Sequence, residues 1–313
     1  VLESILSASN HEKILIHFLD EEMWSAVGKL HNNREVTVWI HGSEIQPWHR
    51  RKFNFENEEQ VEKAKIASQA RMDFWQPLMK NIPKNLHFVF VSEYFASEVM
   101  EDVGVNLNPD SYSIIHNPIN TSLFSFEQKP DSQRSKILSI RPFASKKYAN
   151  DLTVKAIQHL SKSEIFDKLE FMIIGDGRLF EEELKPIMKF ENVIIQRKFL
   201  SHNEIANLHK QYGIFVCPTR MDSQGVSRDE AMSSGLVPIT TEITAIPEFV
   251  DEKSGILTPP EDGIAIADAI ETLYHDKQLF QSLSKSASQR VRVQTASDII
   301  ITKELQIMHG DDS

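Results

Sequence analysis

The sequence has little cysteine, no long apolar run and no excess of positive charge. Its 313 residues include a single cysteine, Cys217, which excludes an intramolecular disulfide and a multi-cysteine metal site. The net charge of −11 at pH 7 argues against a non-specific nucleic-acid binder, which needs a basic face. No stretch approaches the ~20 apolar residues of a membrane span, and the N-terminus lacks the basic-then-apolar order of a signal peptide. These absences predict a soluble cytoplasmic protein and leave contact with a membrane surface open.

One local exception to the acidic balance is the cluster His49-Arg50-Arg51-Lys52. A solvated surface turn is the favoured interpretation of such a charge run. Contact with an anionic acceptor or a lipid phosphate is the alternative.

Short apolar strands alternate with amphipathic helices along a chain that is long enough for two domains. The predicted strands are Lys13–Leu19, Val36–Ile40, Phe88–Ser92, Lys136–Ile140, Leu169–Ile174, Val193–Gln196, Ile214–Cys217, Val237–Thr240 and Gly255–Leu257, and the predicted helices include Leu2–Ser7, Glu58–Met79, Asn150–Leu160 and Ile264–Tyr274. Near-continuous apolar strands between helices indicate parallel sheets that are covered on both faces. The polar segment 128–135 resembles a linker. We therefore predict an α/β protein with two Rossmann-like domains, 1–133 and 134–290, facing a central cleft, and a C-terminal helix and tail at 291–313.

Cations, glycines and carboxylates follow three of the predicted strands, at the edge where open parallel sheets bind ligands. These residues are Arg141 with Lys146 and Lys147, then Gly175 and Gly177, then Asp222, Gly225 and Glu230. Cations and glycine amides suit phosphates, and a carboxylate suits the paired hydroxyls of a ribose. Each feature alone has a plainer explanation, namely a solvated face, a strand-to-helix turn or a helix-dipole carboxylate. Their coincidence at corresponding strand ends predicts a nucleotide site.

From Lys136 to about Tyr274 the chain resembles the family-4 glycosyltransferases. The stretches that carry the resemblance are Ile140-Arg141-Pro142-Phe143-Ala144-Ser145-Lys146, Gly175-Asp176-Gly177, the block from Pro218 to Gly235 with Glu230-Ala231-Met232, and Ala245-Ile246-Pro247-Glu248. The first half is similar more loosely, at Lys13–Asp20, Ile40–Glu44, Val91–Tyr94 and His116–Asn120.

The resemblance implies a GT-B fold and a retaining transfer of sugar from a nucleotide diphosphate-sugar to a glycan, polysaccharide or lipid-linked acceptor. It implies that Arg141 and Lys146 stabilise the leaving phosphate, with help from amides near Gly225 and Val226. Glu230 would accept hydrogen bonds from the ribose, Asp222 would face the donor sugar, and His41 would approach the sugar or the acceptor hydroxyl. The chain shows no evident general base, which fits enzymes in which the leaving phosphate assists the acceptor's deprotonation. It also has no Asp-x-Asp triad, so we expect neither a metal nor any other cofactor.

Four positions depart from the family pattern: Asp222 replaces a longer glutamate, Ile140 and Lys147 replace glycines, and Gly213 replaces an aspartate. The family also has strand–helix units ahead of Lys13, so the first domain is expected to be N-terminally truncated and to lean on a missing segment or partner domain. Rival interpretations are a phosphorylase or an epimerase of the same architecture, or a non-catalytic nucleotide-sugar-binding module within a larger assembly.

Overall fold

The computed structural model describes residues 4, 9, 12–29 and 34–309. Contacts divide the chain into two compact units, the first comprising Val1–His116 with Thr302–Ser313 and the second Asn117–Ile301. Most of the helix expected at Leu2–Ser7 lies outside the described residues.

The first unit is built on parallel strands that alternate with helices. Its elements are β1 Lys13–His17, α1 Glu21–Val27, β2 Glu35–Ile40, α2 Glu58–Lys80, β3 Leu86–Phe90, α3 Glu93–Val103 and β4 Tyr112–Ile114. In the described residues the strands form one sheet in the order β1-β2-β3-β4, and each neighbouring pair is parallel. The carboxyl ends of its strands therefore share one edge.

Side-chain caps and a buried aromatic residue fix the helices of the first unit. The Asn57 side chain accepts a hydrogen bond from the Gln60 amide at the start of α2, and Ser92 caps α3 in the same way. Trp75 of α2 packs in the core, and its Nε1 donates to the Glu44 carbonyl 2.9 Å away. That bond ties α2 to the loop that follows β2.

The second unit repeats the alternation in a larger sheet. Its elements are β5 Lys136–Ile140, α4 Asn150–Leu160, β6 Glu170–Gly175, α5 Phe180–Leu184, β7 Val193–Arg197, α6 His202–His209, β8 Ile214–Val216, α7 Val226–Ser233, β9 Val237–Thr241, α8 Ile246–Phe249, β10 Ile256–Thr258, α9 Gly263–His275, α10 Lys277–Gln294 and α11 Ser297–His309, whose residues from Thr302 group with the first unit. The strand order is β10-β9-β8-β5-β6-β7, and every neighbouring pair is parallel. The order reverses between β5 and β8, and such a reversal opens a crevice at the carboxyl ends of the strands.

The contact boundary lies upstream of the polar segment 128–135 that resembles a linker. Ile119 forms a parallel bridge with Ala296 in the second unit. The Lys129 ammonium is buried and donates to the His209 carbonyl at 2.6 Å. These contacts attach residues 117–133 to the second unit. At the other end, α10 runs without a break through residue 290, where the sequence suggested a boundary.

The α/β class with two parallel sheets is confirmed, and each predicted strand is present with ends that shift by at most two residues. The strand that the sequence did not predict is β4, which has only 3 residues. Within the described part of the chain, no helix is long and apolar enough to cross a membrane.

Candidate functional site

A cavity of about 440 Å³ lies at the carboxyl ends of the strands of the second unit. It is lined by Asn117, Ile140, Arg141, Pro142, Lys147, Tyr148, Gly175, Asp176, Lys198, Phe199, Leu200, Ile205, Asp222, Ser223, Gln224, Gly225, Val226 and Ser227. These residues come from the last positions of β5 and β6, from the loops that follow β5, β6, β7 and β8, from the first turns of α6 and α7, and from the segment before β5. The cavity therefore occupies the crevice that the strand order creates.

Arg141 is a buried cation at the end of β5. Its side chain is 5% exposed, Nη1 lies 3.2 Å from Ser227 Oγ, and Nη2 lies 3.5 Å from the Pro218 carbonyl. Its Nε is buried without a hydrogen-bond partner. Among the described residues Arg141 forms no ion pair with a carboxylate. A buried cation that only neutral groups contact is a strong attractor for an anion.

Of the two adjacent lysines after β5, Lys147 lines the cavity and the predicted Lys146 is not among the lining residues of the described chain. Its Nζ lies 4.0 Å from Asp222 Oδ1 and 5.7 Å from the centre of the Tyr148 ring. Lys146 acts through its backbone, whose carbonyl accepts a hydrogen bond from Arg220. The turn 146–148 therefore places Lys147 at the cavity, and a role for Lys146 stays a prediction.

Arg220 holds this turn against the loop that follows β8. Its backbone N–H donates to the Lys147 carbonyl at 2.8 Å. Its guanidinium also makes a two-pronged contact with Asp151 at 2.9 Å and bonds Glu261. Planar pairs of this kind fix geometry as well as adding energy. The turn that carries Lys147 is thus a fixed part of the site.

The two glycines after β6 allow close backbone packing beneath the cavity. A Cβ at Gly175 would lie 1.9 Å from the Arg141 carbonyl, and one at Gly177, where φ is +146°, would lie 2.3 Å from the Phe143 carbonyl carbon. Of these two, Gly175 lines the cavity. Both glycines therefore have a packing role that sets the position of the Arg141 loop.

The first turn of α7 borders the cavity with Gly225, Val226 and Ser227. Gly225 has φ +103°, and a Cβ there would approach Arg228 Nη1 to 2.7 Å. The first N–H groups of a helix lack acceptors within the helix, and the dipole there favours negative charge. The helix N-terminus and Arg141 thus present positive charge to the same cavity.

Glu230 lies one turn further along α7, and its carboxylate is 3.8 Å from His202 Nε2. It is 8% exposed, and burial, followed by the charge of Asp229, raises its pKa to about 7. Glu230 is not among the residues that line the cavity in the described chain. Its neighbours in sequence and space, the first turn of α7 and the loop before His202, both line it. A buried carboxylate of this kind suits paired hydroxyls, which supply the hydrogen bonds that solvent does not.

Asp222 faces the cavity on the loop that follows β8. Its backbone is held by Thr244, whose Oγ1 lies 3.0 Å from the Asp222 N–H and 2.9 Å from its carbonyl. Its carboxylate is partly exposed beside Lys147. This side chain therefore has a fixed backbone and an adjacent cation.

An apolar wall, formed by Phe199, Leu200 and Ile205, closes another part of the cavity. The Phe199 side chain is 79% exposed, which is unusual for a phenylalanine and leaves its ring able to cover a flat ligand. The sequence did not point to this wall or to Tyr148, and Lys147 was noted there only as a loop cation and as a departure from the family pattern. The position of Phe199 just after a strand was the signal that could have found it.

His41 belongs to the first unit, just past the end of β2. His17 Nδ1 lies 2.9 Å from His41 Nε2, and the Phe18 ring stacks on the His41 ring at 4.3 Å. Burial, then the nearby His17, lowers the His41 pKa to about 4, so the ring is neutral at neutral pH. The Glu44 carboxylate accepts hydrogen bonds from the backbone N–H groups of His41 and Gly42. A neutral imidazole at a strand end suits a hydroxyl group better than a phosphate.

The basic cluster near residue 50 is largely paired within the first unit. Arg50 contacts Asp102 and Glu101, and Lys52 lies 5.3 Å from the centre of the Trp48 ring. These pairs favour the surface-turn interpretation. In the described residues no group of His, Cys, Asp and Glu side chains is arranged to hold a metal ion.

The fold and the sequence of the second unit match known glycosyltransferases. A glycosyltransferase from Rickettsia africae superposes with a TM-score of 0.75 over 100% of this chain and 80% of its own, at 16% identity. HepE from Anabaena, solved with UDP and glucose, gives a TM-score of 0.74 over 98% of this chain and 80% of its own, at 12% identity. These likenesses show the GT-B fold. Residues 134–276 match the sequence model of the family Glycosyl transferases group 1.

This matched segment, 134–276, is less than half of the chain and is called the group 1 segment below. A stretch of 130 residues of the chain is 28% identical to the sulfoquinovosyl transferase SQD2 of Arabidopsis thaliana. That match covers 39% of this chain and 25% of the relative's length. The group 1 segment contributes every residue that lines the cavity except Asn117.

Proposed function

We propose that the chain transfers a sugar from a nucleoside diphosphate-sugar to the hydroxyl of a glycan, polysaccharide or lipid-linked acceptor. The configuration at the anomeric carbon is retained, and no metal ion takes part. The observation that carries this proposal is the buried Arg141, which has no carboxylate partner among the described residues and lines a cavity with Lys147 and the first turn of α7.

The charges in the cavity suit the departure of a nucleoside diphosphate. The bond between the anomeric carbon and the phosphate oxygen breaks, and its electron pair stays on the phosphate. Arg141, Lys147 and the amides at Gly225 and Val226 stabilise this developing charge, which is the task that a metal performs in other transferases. Fixed donors of this kind commonly account for a large part of a rate enhancement.

The acceptor oxygen bonds the anomeric carbon from the face that the phosphate leaves. The acceptor's proton passes to the departing phosphate oxygen, so that no separate base is needed. We assign to His41 a hydrogen bond with the sugar or the acceptor hydroxyl, since its ring is neutral. Asp222 bonds a hydroxyl of the donor sugar and steadies Lys147.

The rest of the donor is assigned to α7 and the apolar wall. Glu230 binds the ribose hydroxyls, and the base lies against Phe199 and Leu200. HepE, which has the same fold, was solved with UDP and glucose, and this supports a nucleotide ligand for the cavity.

Calorimetric titration with UDP, GDP and ADP in the presence of EDTA tests the binding step. Incubation with the matching nucleotide-sugars and a panel of glycan and lipid-linked acceptors tests the transfer. Binding with no transfer to any acceptor would support the rival interpretation of a non-catalytic binding module. Absence of any diphosphate binding would contradict both interpretations.

A further inference from the structure

Tyr148 contacts two cations of the cavity, Arg141 and Lys147, with a single aromatic ring. The guanidinium carbon of Arg141 lies 5.0 Å from the centre of this ring, and Lys147 Nζ lies 5.7 Å from it. Both distances fall within the roughly 6 Å range of a cation–π contact. All three side chains line the same cavity. The ring is thus the element that the two cations share.

The backbone fixes where this ring points. Tyr148 ends the short turn 146–148, in which the Ser145 side chain accepts from the Lys147 N–H. The next residue, Ala149, has φ 46°, a conformation that costs free energy for any residue other than glycine. Ala149 is fully buried, and its N–H donates to the Lys146 carbonyl. Packing therefore maintains a strained turn that aims Tyr148 at the end of β5.

The Tyr148 ring is a neutral partner that lowers the electrostatic cost of placing Arg141 and Lys147 in one cavity. Arg141 is buried with an unpartnered Nε, and a second positive charge nearby on Lys147 raises the electrostatic cost of keeping both in the cavity. The Asp222 carboxylate approaches Lys147 only to 4.0 Å, and a closer carboxylate would compete with an anionic ligand. The negative face of an aromatic ring lowers the cost without forming an ion pair.

We propose that Tyr148 is a positioning residue that holds Arg141 and Lys147 as one clamp for the diphosphate group of the ligand. This inference rests on the proposed function for the identity of the ligand, and its anion specificity can be tested separately. Tyr148 should increase the affinity for ligands that carry phosphate groups and should not affect the affinity for a bare nucleoside.

The experiment measures the affinity of the full chain and its variants for inorganic pyrophosphate, for UDP, GDP and ADP, and for the parent nucleosides. Tyr148→Leu removes the ring, and Tyr148→Phe keeps it. The matched control is Tyr274→Leu, because the Tyr274 ring lies 5.6 Å from the Arg134 guanidinium carbon and neither residue lines the cavity.

Tyr148→Leu should weaken pyrophosphate and diphosphate binding about tenfold, the effect of losing two cation–π contacts, and leave nucleoside affinity unchanged. Tyr148→Phe and Tyr274→Leu should bind like the unaltered chain. Thermal melting checks that each variant is folded, and Tyr148→Met serves if the leucine variant is not.

Unchanged pyrophosphate binding in Tyr148→Leu would overturn the inference, as would an equal loss for the nucleoside. Pyrophosphate binding without any nucleotide binding would refute the proposed function, and the Tyr148 comparison would still decide the clamp. An unaltered chain that binds neither ligand would refute both.

Discussion

Lys147 Nζ lies 4.0 Å from Asp222 Oδ1 in the cavity of the second unit. The two residues follow β5 and β8, the neighbouring strands between which the order of the sheet reverses. A cation from one loop and a carboxylate from the other therefore meet where a ligand of this fold is expected. The contact is loose enough for a phosphate oxygen to take the place of the carboxylate.

The first prediction separates the two adjacent lysines. Lys147→Ala should weaken binding of a nucleoside diphosphate by about 1–3 kcal/mol, because a charged contact with the phosphate is lost. Lys146→Ala is the matched control and should change the affinity little, since Lys146 does not line the cavity in the described chain. Titration of both variants with UDP, GDP and ADP checks the assignment. A larger loss in Lys146→Ala would restore the role that the sequence motif assigned to it.

The second prediction concerns the division of labour between the two ends of the cavity. Glu230→Ala should weaken the binding of nucleosides and of nucleotides equally, by about 1–3 kcal/mol, because the hydrogen bonds to the ribose are lost. Arg141→Ala should weaken binding of the diphosphate and leave binding of the nucleoside unchanged. Equal losses on both ligands in both variants would show that these roles are misassigned.

The third prediction is that Asp222→Glu keeps transfer activity and Asp222→Ala loses most of it. The family pattern has a glutamate at this position, so the pocket should admit one more methylene. The alanine variant also removes the carboxylate beside Lys147. Initial rates of sugar transfer measure the effect. Transfer by Asp222→Ala at the unaltered rate would remove Asp222 from the site.

The fourth prediction follows from the raised pKa of Glu230, which is about 7 where an ordinary glutamate has about 4.5. The folded state binds this proton more tightly than the unfolded state does. The contribution of protonated Glu230 to the free energy of unfolding is therefore complete below pH 4.5 and is lost as the pH rises through about 7. Glu230→Gln should remove this loss, and its gain in unfolding free energy over the unaltered chain should be larger at pH 8 than at pH 5.

Glu183 provides a control for that experiment, because burial, then the charge of Asp151, raises its pKa to about 7 as well. Glu183→Gln should produce the same pH-dependent gain in urea unfolding, yet it should leave nucleoside binding unchanged. If the unfolding free energy of Glu230→Gln equals that of the unaltered chain at every pH, the pKa of the Glu230 carboxyl is not raised.

The strand ends of the second unit could be predicted from the sequence because buried parallel strands have a strong apolar pattern. That pattern located Arg141 and Gly175, since each directly follows a predicted strand, and Gly225, which lies in the loop after the strand Ile214–Cys217. Lys147 could not be predicted in the same way. The direction of its side chain depends on the tight turn 146–148 and on the positive φ of Ala149. A sequence motif gives the spacing of residues and does not give the direction of their side chains.

Tertiary contacts also explain the misplaced domain boundary. The segment 128–135 is polar, as linkers are, but Lys129 is buried by a bond to the His209 carbonyl and Gln281 donates to the Lys129 carbonyl. Both partners are distant in sequence, so no local pattern shows them. Residues 117–133 consequently belong with the second unit.

The central claim is that Arg141 and its neighbours bind the diphosphate of a nucleotide without a metal. Calorimetry with UDP, GDP and ADP in EDTA, on the unaltered chain and on Arg141→Ala, tests it most directly. At least one of the diphosphates should bind, and Arg141→Ala should weaken that binding about tenfold or more without affecting nucleoside binding. No binding by any of the three, binding that EDTA abolishes, or equal affinity in Arg141→Ala would contradict the claim.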